Sequence, residues 1–266
     1  MKGSMSSVES HEIDSLRAFT ALIEDLRDQV GGVLWYRGCR LQTHTLLPSL
    51  YRRTDIESAT DFLKLEGDIL TRFKQRSIPY QNRTIAGNWD YLFLMQHHGV
   101  PTRLLDWTEN PYIALFFALD GNVGNTEGAA VWVADPGAWN RGALKHMSYT
   151  GGVLSVDDDE AKGYAPESGG NLMNNLPIAV YGAHNSPRIV AQRGVFTVFG
   201  KEHQAMESMY EAMEFTEKAL SKIVLPAKAL ESLHTSILQV GFTSSVVYPD
   251  LDGLAREIKW EFGFRG

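Results

Sequence analysis

A stretch in the first half of the chain combines ionisable, amide and hydroxyl side chains with turn-forming residues. It runs from Gln96 to Thr108 and reads Gln-His-His-Gly-Val-Pro-Thr-Arg-Leu-Leu-Asp-Trp-Thr. The apolar segment 111–118 follows directly and must be buried. Polar groups beside a buried segment cost free energy unless they form hydrogen bonds or ion pairs or bind a ligand. Arg103 and Asp106 are therefore candidates for a site, with Thr102 and Thr108 near them. The stretch either forms a closed hydrogen-bond network or faces a cleft.

A second segment, Trp35-Tyr-Arg-Gly38, carries an arginine at the end of a short apolar run. The guanidinium of Arg37 is a rigid fork of donors that suits phosphate or carboxylate. Gly38 allows a close approach to the backbone at this position. The alternative is that Arg37 forms an ion pair with an internal carboxylate such as Asp106.

A third segment, from Ala191 to Thr197, reads Ala-Gln-Arg-Gly-Val-Phe-Thr. If it is a strand, alternation sends Gln192 to the face opposite Ala191, and Gly194 indicates that something comes close there. Gln192 is then a candidate for contacting a ligand.

Hydrophobic spacing predicts the elements that hold these segments. Helical spacing extends over 13–27, 59–73, 89–96, 227–238 and 254–260. Asn110 and Pro111 form a strong start signal for a helix to Ala118, which is apolar on all sides and should be central. Strands are predicted at 33–39, 129–134, 188–192, 195–199 and 222–225, with a turn at 135–137.

Two regions are expected to be irregular. The pattern weakens over about 140–185, which contains glycine pairs and an acidic run, so we expect a loop insertion there. Residues 1–5 resemble a cloning remnant, and 1–12 are expected to be a tag remnant and disordered N-terminus. No internal repeat or low-complexity linker is found, which predicts a single domain over 13–266.

Composition excludes several classes of protein. The 266 residues are 44% hydrophobic and 21% charged, which is typical of a globular domain. We find no signal-peptide pattern, and the longest apolar run is far short of the roughly 20 residues of a membrane helix. The single cysteine, Cys39, excludes an internal disulfide and favours a reducing compartment. These features predict a cytoplasmic protein.

The net charge of −7 argues against a large non-specific nucleic-acid surface, although it permits one local basic cleft. Common phosphate-loop, dinucleotide, zinc-protease and serine-hydrolase motifs are absent from the sequence. His97 and His98 are a poor metal pair on a helix, because adjacent residues point about 100° apart. We therefore expect no metal cofactor.

Four blocks of the sequence closely resemble, in order, the signature blocks of the FRG domain family. They are 36–38 (Tyr-Arg-Gly), 96–111 (from Gln-His-His-Gly to Glu-Asn-Pro), 188–197 (from Arg-Ile-Val to Phe-Thr) and 248–254 (Tyr-Pro-Asp-Leu-Asp-Gly-Leu). The resemblance spans roughly residues 30 to 260, and its second block is highly specific. Most members of this family are uncharacterised, so the resemblance indicates the fold group more than the activity.

The segment Trp35-Tyr-Arg-Gly38 is also similar to the first strand of arginine-type ADP-ribosyltransferases. In those enzymes the arginine holds the phosphate and ribose of NAD. A second strand with hydroxyl residues frames the nicotinamide and leads into a helix, and a late strand supplies a glutamate. The resemblance implies an α+β single domain, with a split antiparallel β-sheet core of ADP-ribosyltransferase-like type and surrounding helices.

This resemblance implies roles for particular residues. The implied catalytic residues are Arg37, Asp106 and Gln192. The implied NAD-binding residues are Tyr36, Arg37, Gly38, Thr102, Arg103, Thr108 and Tyr112, the last stacking on the nicotinamide. Gln192 stands nearest the position of the glutamate, with Asp250 or Asp252 as the fallback.

The replacement of glutamate by glutamine affects the expected mechanism. A glutamine side chain can bond a ribose hydroxyl but cannot act as a base, so another group or an already good nucleophile would be needed. Asp106 would stabilise the oxocarbenium-like state without moving a proton.

We therefore expect an NAD-dependent ADP-ribosyltransferase that modifies a macromolecule, either protein or nucleic acid. NAD would be its substrate, and its role that of a bacterial toxin or antiphage defence effector with a possible antitoxin or neutralising partner. Three alternatives stay open: a non-catalytic module that binds a nucleotide or phosphorylated ligand, hydrolysis of NAD without transfer, and nuclease or phosphodiesterase activity.

Overall fold

Eight strands form one sheet in the computed structural model, which describes residues 7–81, 84–85, 87–122, 124–166, 168, 170, 172–183, 186–213 and 215–264. In chain order they are β1 (Glu9–Glu12), β2 (Trp35–Cys39), β3 (Leu104–Thr108), β4 (Ala129–Ala134), β5 (Leu154–Ser155), β6 (Ile178–Tyr181), β7 (Gly194–Val198) and β8 (Leu220–Leu225). They lie in the order β1-β8-β4-β2-β3-β7-β6-β5. Neighbours are antiparallel, except that β1 with β8 and β5 with β6 are parallel.

Helices surround this sheet. In the described part of the chain they are α1 (Leu16–Val30), α2 (Ala59–Ser77), α3 (Asn88–His97), α4 (Pro111–Leu119), α5 (Pro136–Ala143), α6 (Asp159–Lys162), α7 (Pro187–Gln192), α8 (Met206–Ala212), α9 (Leu230–Gln239), α10 (Ser244–Val247) and α11 (Leu251–Glu261). The prediction of a single domain of mixed α and β structure is confirmed. No helix among the described residues has the length and apolar character needed to cross a membrane.

Helix α4 is the central helix that the sequence predicts. The side chain of Asn110 caps it by accepting a hydrogen bond from the Tyr112 amide at 3.0 Å. The helix lies directly on β2, since a β-carbon added at Gly38 would be 1.9 Å from the carbonyl oxygen of Ala114 and 2.7 Å from the amide nitrogen of Ala118. The close approach expected at Gly38 is therefore made by the backbone of α4.

The sheet opens between β2 and β3. β2 pairs with β4 along its whole length, and β3 does the same with β7. In contrast, β2 and β3 share one register pair, Tyr36 opposite Thr108. Beyond this pair the guanidinium of Arg37 bonds the main-chain oxygen of Asp106 at 2.6 Å. A side chain thus takes the place of the next strand-to-strand bond, and a gap forms in the sheet.

Local structure differs from the prediction in two places. Residues 188–192, predicted as a strand, belong to helix α7, which Ser186 caps by accepting from the Ile189 amide at 3.2 Å. Residues 135–137, predicted as a turn, start helix α5, whose N-cap is Asp135. Both helices begin with a capping side chain followed by proline. This start signal outweighs the β-branched residues of 188–192 and the turn-forming residues of 135–137.

The two regions expected to be irregular also contain ordered elements. The segment 140–185 includes β5, α6 and β6, and its Tyr164 and Ile178 are fully buried. Glu9–Glu12, inside the predicted disordered N-terminus, form β1 beside β8. Residues 1–5, interpreted as a cloning remnant, lie outside the described residues.

Candidate functional site

A cleft of about 590 Å³ lies where β2 and β3 diverge. Its lining comes from β2 and the loop after it, from the end of α3, from β3, from one side of α4, and from α7 with the start of β7. Arg37, Asp106, Thr108 and Gln192 all contribute to it. The three segments that the sequence singles out therefore meet at one site, because β2, β3 and β7 are neighbours in the sheet.

Arg37 lies in the middle of β2 rather than at its end, opposite Trp132 of β4. Its Nη1 donates to the main-chain oxygen of Asp106 at 2.6 Å, so its bonded partner is not the carboxylate that the sequence suggests as an alternative. Its Nε is buried and has no hydrogen-bond partner among the described residues. A buried donor without a partner costs free energy.

The carboxylate of Asp106 faces the solvent of the cleft, with protein around it on the other sides. This enclosure raises the pKa of Asp106, while the guanidinium of Arg37 and a hydrogen bond from Gln96 act against the rise. The Nε2 of Gln96 donates to Oδ2 of Asp106 at 2.5 Å. Asp106 is thus held by one amide donor at the floor of the cleft.

Thr102 takes part in the same network from inside the protein. Its side chain is fully buried, and its hydroxyl donates to Oε1 of Gln96 at 2.5 Å. The hydroxyl oxygen also accepts from the Leu104 amide at 3.1 Å. Thr102 therefore does not line the cleft as a ligand-binding residue. It fixes the Gln96 amide so that the nitrogen faces Asp106.

Gln192 is the last residue of helix α7 rather than part of a strand, and it lines the cleft. Its side-chain Nε2 donates to the main-chain oxygen of Val247 at 3.0 Å. Its main-chain oxygen accepts from the Thr108 hydroxyl at 2.6 Å. Arg193 then adopts a left-handed conformation with φ 46° and turns the chain into β7. The side chain of Gln192 is half-buried, and its Oε1 is the atom available to accept from a ligand hydroxyl.

Two further residues expected to bind NAD also lie outside the cleft lining. Arg103 is fully buried, forms an ion pair with Glu66 at 2.9 Å, and donates to the main-chain oxygens of Tyr164 and Phe199. Tyr112 bonds the Thr20 hydroxyl at 3.0 Å and packs against Phe19. Neither residue lines the cleft, and the contacts of both are within the fold.

Tyr36 borders the cleft, but its side chain has no exposed surface and packs in the core beneath α4. Burial raises the pKa of Tyr36 to about 12, so the phenol is neutral. Asp250, the fallback for the glutamate, is the N-cap of α11 and accepts from the Gly253 amide at 2.7 Å. Asp252 is exposed within α11.

Several residues of the cleft were not among the predicted site residues. Phe117 of α4 lines it where Tyr112 was expected, five positions further along the helix. Arg188 enters from α7, and Arg40 and Arg52 enter from the loop after β2. Gln96 and His97 belong to the polar stretch 96–108. Their position just before the turn at Gly99 is the sequence signal that could have identified them as cleft residues.

The cleft is positively charged in an acidic chain. Its described lining contains four arginines and one carboxylate, which are Arg37, Arg40, Arg52, Arg188 and Asp106. Burial lowers the pKa of His97, which keeps this cleft residue neutral at neutral pH. The described residues contain no cluster of potential metal ligands. The arrangement suits an anionic ligand that also brings a group to the carboxylate of Asp106.

Comparison with known proteins supports the family prediction. The family model of the FRG domain matches residues 32–126. This range contains the Tyr36-Arg-Gly38 motif and the block at 96–111, whereas the blocks at 188–197 and 248–254 lie beyond it. No curated protein and no solved structure matches the chain. The similarity to the FRG domain family therefore extends over residues 32–126 of the chain.

Proposed function

We propose that this protein is an NAD-dependent ADP-ribosyltransferase that modifies a macromolecular acceptor. The observation that carries the proposal is the convergence of Arg37, Asp106 and Gln192 on one cleft of about 590 Å³. That volume lies in the range of small-molecule and cofactor sites. The three positions take the three roles that the resemblance to arginine-type ADP-ribosyltransferases implies.

Arg37 binds the diphosphate of NAD in this proposal. One of its nitrogens is already fixed on the main-chain oxygen of Asp106, so the guanidinium is held in place before a ligand arrives. The guanidinium lines the cleft and supplies donors for a phosphate oxygen. Pre-organised, charge-assisted hydrogen bonds of this kind are among the stronger ones in proteins.

Asp106 stabilises the charge that develops on the ribose. In the reaction, the bond between ribose C1′ and the nicotinamide nitrogen breaks, and its electron pair leaves with neutral nicotinamide. A nucleophilic oxygen or nitrogen of the acceptor forms the new bond to C1′ and loses its proton. The ionised carboxylate of Asp106 interacts favourably with the oxocarbenium-like state between these events.

Gln192 orients the ribose and accepts no proton. Its Oε1 accepts from a ribose hydroxyl, while its amide nitrogen stays on the main chain of Val247. The acceptor proton goes to water or to His97, which lines the cleft and is held neutral. The acceptor must therefore be a good nucleophile by itself, because no glutamate activates it.

Thr108 and Phe117 take the places that the resemblance gives to the hydroxyl residue and the stacking ring. The hydroxyl of Thr108 ties the end of α7 to β3 by its bond to the Gln192 carbonyl. Phe117 is partly exposed in the cleft and presents an aromatic surface to the nicotinamide.

The experiment is incubation of the protein with NAD labelled in the adenylate part and a cell lysate, followed by detection of labelled macromolecules and of free nicotinamide. Arg37→Gln should lower both signals by about two orders of magnitude, since it removes a charged donor from the reacting complex. Arg72→Gln, on the exposed side of α2, is the matched control and should match the unmodified protein. Absence of both label and nicotinamide would exclude the transferase.

We also propose the biological role of a toxin or antiphage defence effector with a neutralising partner. An enzyme that consumes cellular NAD to modify macromolecules damages its own cell unless its activity is inhibited. Induced expression in a bacterium should therefore arrest growth, and Arg37→Gln should relieve the arrest. Equal arrest by both proteins at equal abundance would contradict this role.

One observation favours a second candidate, a non-catalytic module that binds a nucleotide or phosphorylated ligand. The position nearest the expected glutamate holds Gln192, whose amide nitrogen is bonded to Val247 within the protein. Such a module would raise its melting temperature with ADP-ribose and release no nicotinamide from NAD. Nicotinamide release without added macromolecule would instead identify hydrolysis.

A further inference from the structure

One wall of the cleft is a loop, residues 40–52, whose backbone is held by side chains from other parts of the chain. Amides of Asn122 and Asn125 donate to the Arg40 oxygen at 2.7 and 2.8 Å. The ammonium of Lys222 donates to the Gln42 oxygen at 2.6 Å, and the carboxylate of Glu207 accepts from the Leu46 amide at 3.0 Å. The loop is therefore a fixed surface, although its outer side chains are exposed.

This surface carries two arginines without a carboxylate partner among the described residues. Arg52 is held by the Leu47 oxygen, which accepts from its Nε at 3.1 Å and from its Nη2 at 3.0 Å. Arg40 is exposed at the mouth of the cleft. The nearby carboxylate of Glu127 accepts a hydrogen bond from the Thr43 hydroxyl at 3.4 Å. Arg40 and Arg52 thus both line the cleft, and neither is paired with a carboxylate among the described residues.

The charge of the cleft exceeds what NAD neutralises. Four arginines against Asp106 leave an excess of positive charge while the histidines are neutral. NAD brings a negative diphosphate and a positive pyridinium ring, so it offsets only part of that excess. In the proposed function Arg37 holds the diphosphate. The arginines of the loop then face the space through which an acceptor reaches ribose C1′.

We infer that the acceptor is a single-stranded nucleic acid whose phosphates lie on Arg40 and Arg52. A repeating phosphate backbone matches two arginines on one wall better than the isolated charges of a folded protein do. A nucleotide must reach the floor beside Asp106, and a strand whose bases are free can deliver one into a cleft of about 590 Å³. The net charge of −7 keeps the rest of the surface from binding nucleic acid unspecifically.

This inference rests on the proposed function for the transfer step. In that step a nucleophilic oxygen or nitrogen of one nucleotide bonds to ribose C1′ of NAD. Nicotinamide leaves with the electron pair of the broken bond, and the proton of the nucleophile passes to water or to His97. The binding of the strand is independent of this chemistry and can be measured without NAD.

The binding test uses fluorescently labelled 12-nucleotide single strands of RNA and of DNA, their duplexes, and polyglutamate, with fluorescence anisotropy as the readout. We expect a single strand to bind, more tightly than its duplex and than polyglutamate. Arg40→Gln with Arg52→Gln should weaken strand binding by more than tenfold and reduce its salt dependence by about one phosphate contact per arginine. Arg72→Gln is the control and should bind as the unmodified protein does. A circular dichroism melt checks that each variant is folded.

The outcomes separate the two proposals. Strand binding that is lost in the Arg40 and Arg52 variant supports the inference, and label on RNA or DNA from labelled NAD identifies which strand is modified. Equal binding of polyglutamate, no strand binding, or label confined to protein would overturn it. Absence of nicotinamide release overturns the proposed function, whether or not the strand binds.

Discussion

Asp106 is the residue whose ionisation should control activity. Enclosure in the cleft raises its pKa, and the hydrogen bond from Gln96 stabilises the ionised form and opposes that rise. Activity should be complete above this pKa and fall as the pH drops through it, because protonation removes the stabilising charge. We expect Gln96→Ala to raise the pKa further and to shift the acid limb of the pH profile for nicotinamide release to higher pH.

Thr102 offers a matched pair of controls for this network. Thr102→Val removes the hydroxyl that orients Gln96, so it should shift the acid limb in the same direction, by less. Thr102→Ser keeps the hydroxyl and should restore the profile of the unmodified protein. A profile that does not respond to Gln96→Ala would mean that Asp106 does not control the reaction.

Single residues were predictable where their chemistry was unusual for their surroundings. Arg37, Asp106 and Gln192 stand out because polar side chains occur beside apolar runs, and the structure brings all three to the cleft. Arg103 has the same local signature, yet it is buried against Glu66. Local sequence does not give the direction of a side chain relative to distant elements, so it could not separate these cases.

At the level of elements, the contact between β2 and α4 shapes the cleft. It depends on Gly38, because any β-carbon there would lie 1.9 Å from the carbonyl oxygen of Ala114. Gly38→Ala should therefore displace α4 and lower the free energy of unfolding by about 1–3 kcal/mol or more. Urea denaturation followed by circular dichroism measures this change.

A glycine with free space around it provides the control. Gly67 lies inside α2, and a β-carbon there would meet nothing within 4 Å. Gly67→Ala should raise the free energy of unfolding by about 0.5–1 kcal/mol, since alanine has the higher helix propensity. Equal effects of the two substitutions would show that the β2 and α4 contact is not tight.

Elements were predicted well where a cap and a long apolar face agree, as in α4 with its Asn110 cap. They were mispredicted where the segment is short. Residues 188–192 hold two β-branched residues and look like a strand, whereas Ser186 and Pro187 start a helix. In a segment of this length the capping hydrogen bond and the fixed proline φ outweigh weak strand propensity.

At the level of the whole molecule, a buried ion pair joins distant parts of the chain. Glu66 of α2 pairs with Arg103 at 2.9 Å, and Arg103 also bonds the main-chain oxygens of Tyr164 and Phe199. Glu66→Ala would leave a guanidinium buried without its counter-charge. The free energy of unfolding should fall by about 3–5 kcal/mol, as measured by urea denaturation at neutral pH.

The exposed pair of Arg141 and Glu217 is the comparison for this substitution. Nη2 of Arg141 lies 2.5 Å from Oε2 of Glu217, but the side chain of Glu217 is 46% exposed. Solvent screens such a pair, so Glu217→Ala should change the free energy of unfolding by less than about 1 kcal/mol. If Glu66→Ala costs no more than this, Arg103 does not hold these segments together.

Local sequence patterns are enough to predict the helices with long apolar faces, the strand at β4, and the three segments that carry the candidate chemistry. These features depend on periodicity, capping and side-chain type, which are local properties. The folded structure is needed to show that β2, β3 and β7 are neighbours, and that Arg103 and Tyr112 lie outside the cleft lining. It is also needed to show that Arg40, Arg52 and Arg188 share the cleft. Strand order and side-chain direction are set by packing between residues far apart in the chain, on which local patterns carry little information.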